Sequence, residues 1–320
     1  MGLNMKKLVL STTAAVLMSA GLAYAADLPV KAPPPAPAPA SPWDIAFGGA
    51  IASDYNFRGI TQSDHKPSVN GYFEPRYNVT PDIQLYVGLA GNSIDFPNDA
   101  AAEIDIYGGI RPTFGKLALD FGVWYYDYPG GRLFNGLGGP QTCTNLFFTP
   151  TGGCNISKKN DSFVEFYAKA TYTVNDNFAF GGAVYYDPSW VNTGAPGWYL
   201  NGNAKYTGAA FSNGVGWYVS GDLSHYFLGT TDVFYALTPL PDYTTWDIGV
   251  GLTYKVFTLD FRYYDTDLSK ANCNVLTGAQ SASYAPGNVT PLNPSGLGTN
   301  WCGAAFVVAL KADLTLGSLK

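Results

Sequence analysis

The 320-residue sequence carries 24 Asp and Glu against 18 Lys and Arg, four Cys and two His, with 15% aromatic but only 13% charged residues. Charged residues make up about a quarter of an ordinary soluble domain, so this chain is short of the polar surface that water requires on every side. The acidic balance argues against nucleic-acid partners, which need basic patches.

Residues 1–25 read as a cleaved signal peptide. Lys6 and Lys7 form a positive start, Leu8 to Leu22 an apolar run, and Ala23-Tyr24-Ala25 a small-x-small cleavage site. The run is too short for a spanning helix, which needs roughly 20 residues. Cleavage would leave 24 acidic against 16 basic residues. Residues 26–42 form a Pro/Ala tract that cannot join a sheet ladder, because proline lacks an N–H. An extended periplasmic spacer is expected there. Such a spacer could touch peptidoglycan, although a plain linker is the favoured reading.

From Trp43 onward the sequence alternates with a period of two, the mark of strands with two different faces. Trp43, Ile45, Phe47, Gly49, Ile51, Tyr55 and Phe57 share one parity, and Asp44, Ala46, Gly48, Ala50, Asp54, Asn56 and Arg58 the other. Val69, Phe73, Tyr77 and Val79 likewise oppose Asn70, Glu74, Arg76 and Asn78. Continuing the count gives further strands near 83–94, 103–114, 117–128, 162–174, 178–187, 198–207, 215–227, 243–256, 257–268 and 301–314. The apolar parity is odd in strands 1, 2, 3, 5, 9 and 11 and even in the other six. Short connections follow the even-numbered strands and longer ones follow the odd-numbered strands. That alternation is the pattern of an outer-membrane barrel with short periplasmic turns and long external loops. About 11 residues per strand, tilted near 40°, span on the order of 28 Å, close to the apolar band of such barrels. A soluble β-sandwich would alternate too, but its loop lengths would not track strand parity. The expected fold is therefore all-β, an antiparallel up-and-down transmembrane barrel of about twelve strands over 43–320.

Aromatic doublets end three of these strands, at Trp124-Tyr125-Tyr126, Tyr185-Tyr186 and Tyr263-Tyr264, at the depth where amphipathic rings meet lipid headgroups. Tyr125, Tyr186 and Tyr263 are expected in an outer girdle, with Trp43 at the opposite rim. The polar parity places Asp54, Arg58, Glu74, Arg76, Glu103, Asp105, Arg111, Asp120, Glu165, Lys169, Lys205, Asp222, Asp247, Asp260 and Arg262 in the lumen. Facing lipid at mid-depth would cost each Arg or Lys roughly 2–4 kcal/mol. Twelve strands lie between the side-chain-filled eight and the open sixteen, so a narrow aqueous channel is feasible. A lumen blocked by paired charges is the alternative.

Four Cys in an exported chain suggest two disulfides. Cys143 and Cys154 lie in the fifth connection, and Cys273 and Cys302 bracket the eleventh. Local pairing is the simplest of the three connectivities, and each bridge would be worth roughly 3–4 kcal/mol. With no Cys-x-x-Cys and only His65 and His225, no Cys/His metal site is expected, and nothing points to a cofactor.

Some twelve-stranded barrels are lipid hydrolases with Ser and His on the outer wall. Here His225 points outward between Leu223 and Phe227, and no Ser shares that face on strands 8 or 10. A nucleophile needs a base in reach, so an enzyme is not expected. The stretch Ser53 to Pro75 resembles the N-terminal signature of the TorF-like porin family, through Asp54, Tyr55, Phe57, Arg58, Gly59 and Gln62. That resemblance implies a porin without naming its solute. The expected role is passive diffusion of small hydrophilic solutes through the outer membrane of a Gram-negative cell, with mild cation preference. The expected partners are outer-membrane lipid and those solutes.

Overall fold

The computed structural model describes residues 42–132, 134–136, 155–279, 283–284, 289–293 and 296–319. The leader, nearly all of the Pro/Ala spacer, and both Cys143 and Cys154 lie outside the described residues.

Twelve antiparallel strands close into a barrel: β1 (Trp43–Ala52), β2 (Ser68–Thr80), β3 (Ile83–Asn92), β4 (Glu103–Phe114), β5 (Leu117–Asp127) and β6 (Phe163–Thr173), then β7 (Phe178–Asp187), β8 (Gly197–Thr207), β9 (Gly216–Leu228), β10 (Tyr243–Tyr254), β11 (Phe257–Thr266) and β12 (Ala305–Thr315). Each strand pairs with its neighbours in sequence. The ring shuts where β12 lies against β1, with Ala46 opposite Thr315 and Ala52 opposite Ala309. Closure leaves no strand edge unpaired, as a barrel in hydrocarbon requires.

Apart from Tyr55 and Phe57, which lie beyond the end of β1 and turn inward, every strand shows the outward face its alternation predicts. Val69 and Phe73 on β2, Val87 and Leu89 on β3, Trp246 and Ile248 on β10, and Phe306 and Leu310 on β12 all point away from the lumen and are exposed. Their inward neighbours, including Tyr72, Glu74 and Arg76, are buried. The apolar core of an ordinary domain is therefore turned inside out.

Two-residue turns join β4 to β5 and β10 to β11. Gly115 (φ 60°) and Lys255 (φ 54°) adopt the left-handed backbone that such tight reversals demand. Inside the barrel, glycines make room for tyrosine rings from the facing strand. Gly88 sits opposite Tyr107, Gly122 opposite Tyr167 and Gly251 opposite Tyr218. A Cβ at any of the three would come within 2.2–2.4 Å of the ring or its hydroxyl. The rings lie flat across the sheet because those positions carry no side chain.

The long connections gather at one end. The eleventh carries α1 (Lys270–Thr277), capped by Ser269, whose hydroxyl accepts from Asn272 N at 3.1 Å. Cys273 and Cys302 are bonded, as local pairing anticipates.

Candidate functional site

The sequence reading carries Asp54 and Arg58 on the first barrel strand. The structure corrects this. β1 stops at Ala52, and the connection after it, residues 53–67, folds back into the lumen as a small hairpin that pairs Asn56 with Thr61 and Phe57 with Ile60. Its tip is Arg58 (φ 52°) and Gly59 (φ 83°). Gly59 is required here, since a Cβ would lie 2.3 Å from Thr266 Cγ2 and 2.4 Å from Thr245 Oγ1. The hairpin therefore spans from the wall at β1 to the wall at β10 and β11.

Arg58 crosses the lumen to Glu165 on β6. Its guanidinium donates to both carboxylate oxygens, at 2.6 and 3.0 Å, and to Tyr226 Oη at 3.0 Å. The rings of Tyr199, Phe57, Tyr185 and Tyr226 surround it, with centroids 4.1–5.2 Å from Cζ. Tyr126 donates to Glu165 at 2.8 Å, Tyr226 donates to Asp187, and Tyr243 donates to the carbonyl of Arg58 at 3.2 Å. A bidentate pair held in an aromatic box is a strong, directional contact.

The other charges form connected groups along the wall. Glu103 accepts from Tyr55, from Tyr128 at 2.9 Å and from Asn92 at 2.7 Å, and Asn92 also donates to Asp105 at 3.2 Å. Glu74 accepts from Arg76 at 2.5 Å and from Arg111 at 2.8 Å; Arg111 also reaches Asp120 at 3.4 Å. Arg262 bonds Asp247, and also Asp260 at 3.1 Å and Ser220 at 2.7 Å. Asn201 donates to Asp222 at 2.5 Å. Lys169 and Lys205 lie over the rings of Tyr167 and Tyr218, at 4.4 and 4.0 Å. All these side chains stand on the inward side of the sheet. Asp54 is turned toward its own hairpin instead, accepting from Thr61 Oγ1 at 2.5 Å, Ser63 Oγ at 2.9 Å and bonding His65 Nδ1 at 3.0 Å.

Arg58 divides two spaces. On the long-loop side, a chamber of about 1030 Å³, counting the part open to solvent, is walled by Phe57, Ile60, Phe96, Phe163, Trp190 and Trp301 among others. On the other side, a polar space of about 220 Å³ is lined by Asp222, Ser224, Thr245 and Asp247.

The aromatic doublets split across the wall. Tyr125 and Tyr263 are exposed on the outside, Tyr186 packs at a tilt against Trp198 with centroids 4.5 Å apart, and Trp43 packs edge-on against Tyr77 at the opposite rim. Their partners Trp124, Tyr126, Tyr185 and Tyr264 are buried inside. An inner aromatic layer therefore exists that the girdle reading overlooks; the signal was the doublet itself, since adjacent strand residues must face opposite ways. His225 bonds Thr244 Oγ1 at 3.0 Å and touches the Phe227 ring.

The hairpin is tethered from above. Trp301 Nε1 donates to Asp64 at 2.7 Å, Thr61 N donates to the carbonyl of Trp301 at 2.9 Å, and His65 Nε2 lies 3.2 Å from the carbonyl of Asn300. Both ring nitrogens of His65 face acceptors, Asp54 and that carbonyl, so only the doubly protonated ring satisfies both. The hydrogen bond to Asp54, foremost, holds the imidazole above its ordinary value of 6.5.

A family model described as a bacterial protein of unknown function (Gcw_chp) matches residues 36–286. No curated protein sequence matches this chain. Among solved structures, the chain is similar to an outer-membrane channel from Pseudomonas putida F1, at 10% identity and a TM-score of 0.43 over 90% of this chain and 100% of that one. It is similar to the NanC porin at 8% identity, with a TM-score of 0.43 over 84% and 100%. A Pseudomonas aeruginosa FadL homologue shares 12% identity, with a TM-score of 0.40 over 85% and 89%.

Proposed function

We propose that this chain, which belongs to the Gcw_chp family of bacterial proteins of unknown function, is a narrow outer-membrane channel for small hydrophilic solutes, latched at rest by Arg58. One observation carries the reading: the group that separates the two spaces sits on a connecting hairpin and not on a barrel strand. A strand-borne plug is as rigid as the wall, whereas a hairpin can withdraw without breaking the ladder. Opening would cost the Arg58–Glu165 pair, which makes the latch steep and the open state rare. The resemblance of Ser53–Pro75 to TorF-like porins supports the same reading, since its matching residues include Arg58 and Gly59 themselves. Export through the general secretory route and residence in the outer membrane of a Gram-negative cell follow from the leader and the outward apolar faces. No catalytic role is proposed.

Cation preference is favoured by Asp222, which faces Asp247 across β9 and β10 beneath the latch, Asp247 itself being held by Arg262. Carboxylates in a narrow, low-dielectric passage raise the local cation concentration.

Single-channel recording in planar bilayers tests both points. The wild-type protein is expected to show rare openings, and Glu165→Gln or Arg58→Ser to raise their frequency at least tenfold. Asp222→Asn with Asp247→Asn should shift the reversal potential toward anions. A folded barrel that stays silent in all variants would favour the alternative, a surface barrel with a permanently blocked lumen.

A further inference from the structure

We propose that the chamber at the long-loop end is a binding site for a small organic cation, an apolar or aromatic body carrying a protonated amine that donates to Asp161. The site stands apart from conduction and does not depend on the latch opening. With the part open to solvent counted, it encloses about 1030 Å³. Its walls are chiefly apolar, with Phe96, Phe163, Trp190, Leu240, Val275 and Leu276 converging from five separate connections and strands.

The polar groups at its margin are nearly all committed. Arg58 is neutralised by Glu165. Lys158 Nζ donates to the carbonyl of Asn192 at 2.5 Å and to Asp232 at 2.7 Å. Asp161 is the one carboxylate among the lining residues. It lines the chamber and is only 5% exposed. Oδ2 accepts from Asn98 at 2.7 Å and from Ser157 at 3.0 Å. Oδ1 is buried and has no partner among the described residues.

A carboxylate out of water with no ion pair of its own is costly, and burial, outweighing the Ser157 hydrogen bond and the nearby Lys158 charge, pushes this one up to about 7. An incoming ammonium supplies the missing charge and the missing donor together. Phe163, Trp190 and Tyr235 line the chamber beside it, an aromatic surround of the kind that recognises organic cations. A carboxylate ligand would instead meet Asp161 as a like charge, and a sugar would find too few polar partners for its hydroxyls.

The test uses the full mature chain refolded into lipid nanodiscs and calorimetric titration at pH 8, with the signal of empty discs subtracted. The probes are phenethylamine, tryptamine, tryptophol (a hydroxyl in place of the amine) and indole-3-acetate. Tryptamine is expected to bind at least about tenfold more tightly than tryptophol, the scale of a charged hydrogen bond, and indole-3-acetate not to bind. Asp161→Asn should reduce tryptamine to the affinity of tryptophol, and Leu276→Trp should remove both by filling the chamber. Equal affinity of amine and alcohol for the wild-type protein, preference for the acetate, or no binding of either amine overturns the proposal, and that comparison needs no variant to fold. Silent bilayers with intact amine binding would sink the channel and leave this site standing.

Discussion

At the scale of single residues, Arg58 and His65 act on one hairpin from its two ends. Arg58 fastens the tip inside the lumen, and His65 fastens the base to the connection that follows β11. The two fastenings answer to different variables. Arginine stays charged throughout the accessible range, so the cation of the inner latch does not titrate. His65 has a folded value above its unfolded one, so its tether is fully present below about 6.5 and is lost as pH rises through the raised value. Hydrogen exchange at Thr61 N–H, which donates to Trp301, should accelerate beyond the intrinsic base dependence as pH rises through that window. His65→Gln should abolish the extra acceleration; a variant with the wild-type profile would remove the histidine from the tether.

At the scale of elements, the pairing of inward glycine with tyrosine across neighbouring strands decides how the lumen is filled. Gly122 lies beneath Tyr167, whose hydroxyl would sit 2.4 Å from an added Cβ, and the Gly108 carbonyl would be 2.7 Å away. Neither the ring, bonded to Tyr86, nor the backbone can yield cheaply. Gly122→Val should therefore destabilise the barrel by roughly 1–3 kcal/mol, the scale of overpacking in a filled interior. Urea unfolding of the barrel in vesicles measures it, and an unchanged midpoint would show that the ring has room to move.

The tip of the hairpin was legible only as a resemblance: the signature in Ser53–Pro75 includes Arg58 and Gly59, while the positive φ that makes them a turn belongs to the structure. Its inward course was not legible, because Asn56, Phe57 and Arg58 continue the alternation of β1 and imitate a longer strand. Nothing local distinguishes a strand that continues from one that breaks at Ser53 and turns inside; the deciding contacts, to Glu165, Thr245 and Thr266, come from more than a hundred residues away.

At the scale of the whole molecule, an outward apolar band on all twelve strands implies a depth-dependent tolerance to charge. Val87, exposed near the middle of β3, and Val79, exposed near the short-turn end of β2, give the contrast. Val87→Arg should cost roughly 2–4 kcal/mol in a lipid bilayer and Val79→Arg about 0–1 kcal/mol, read from reversible unfolding in vesicles. Equal costs would place the hydrocarbon elsewhere.

The sequence by itself determined the barrel: strand number, inward and outward face of each strand, and the gathering of long connections at one end. These depend on a period of two and on turn length, both local properties that one strand carries without reference to another. Tertiary structure alone decided what the lumen holds. Which carboxylate meets which guanidinium, which ring of each aromatic doublet covers a glycine, and that Arg58 stands between two spaces are matters of distance across a closed ring. Such distances are set only when the last strand lies against the first.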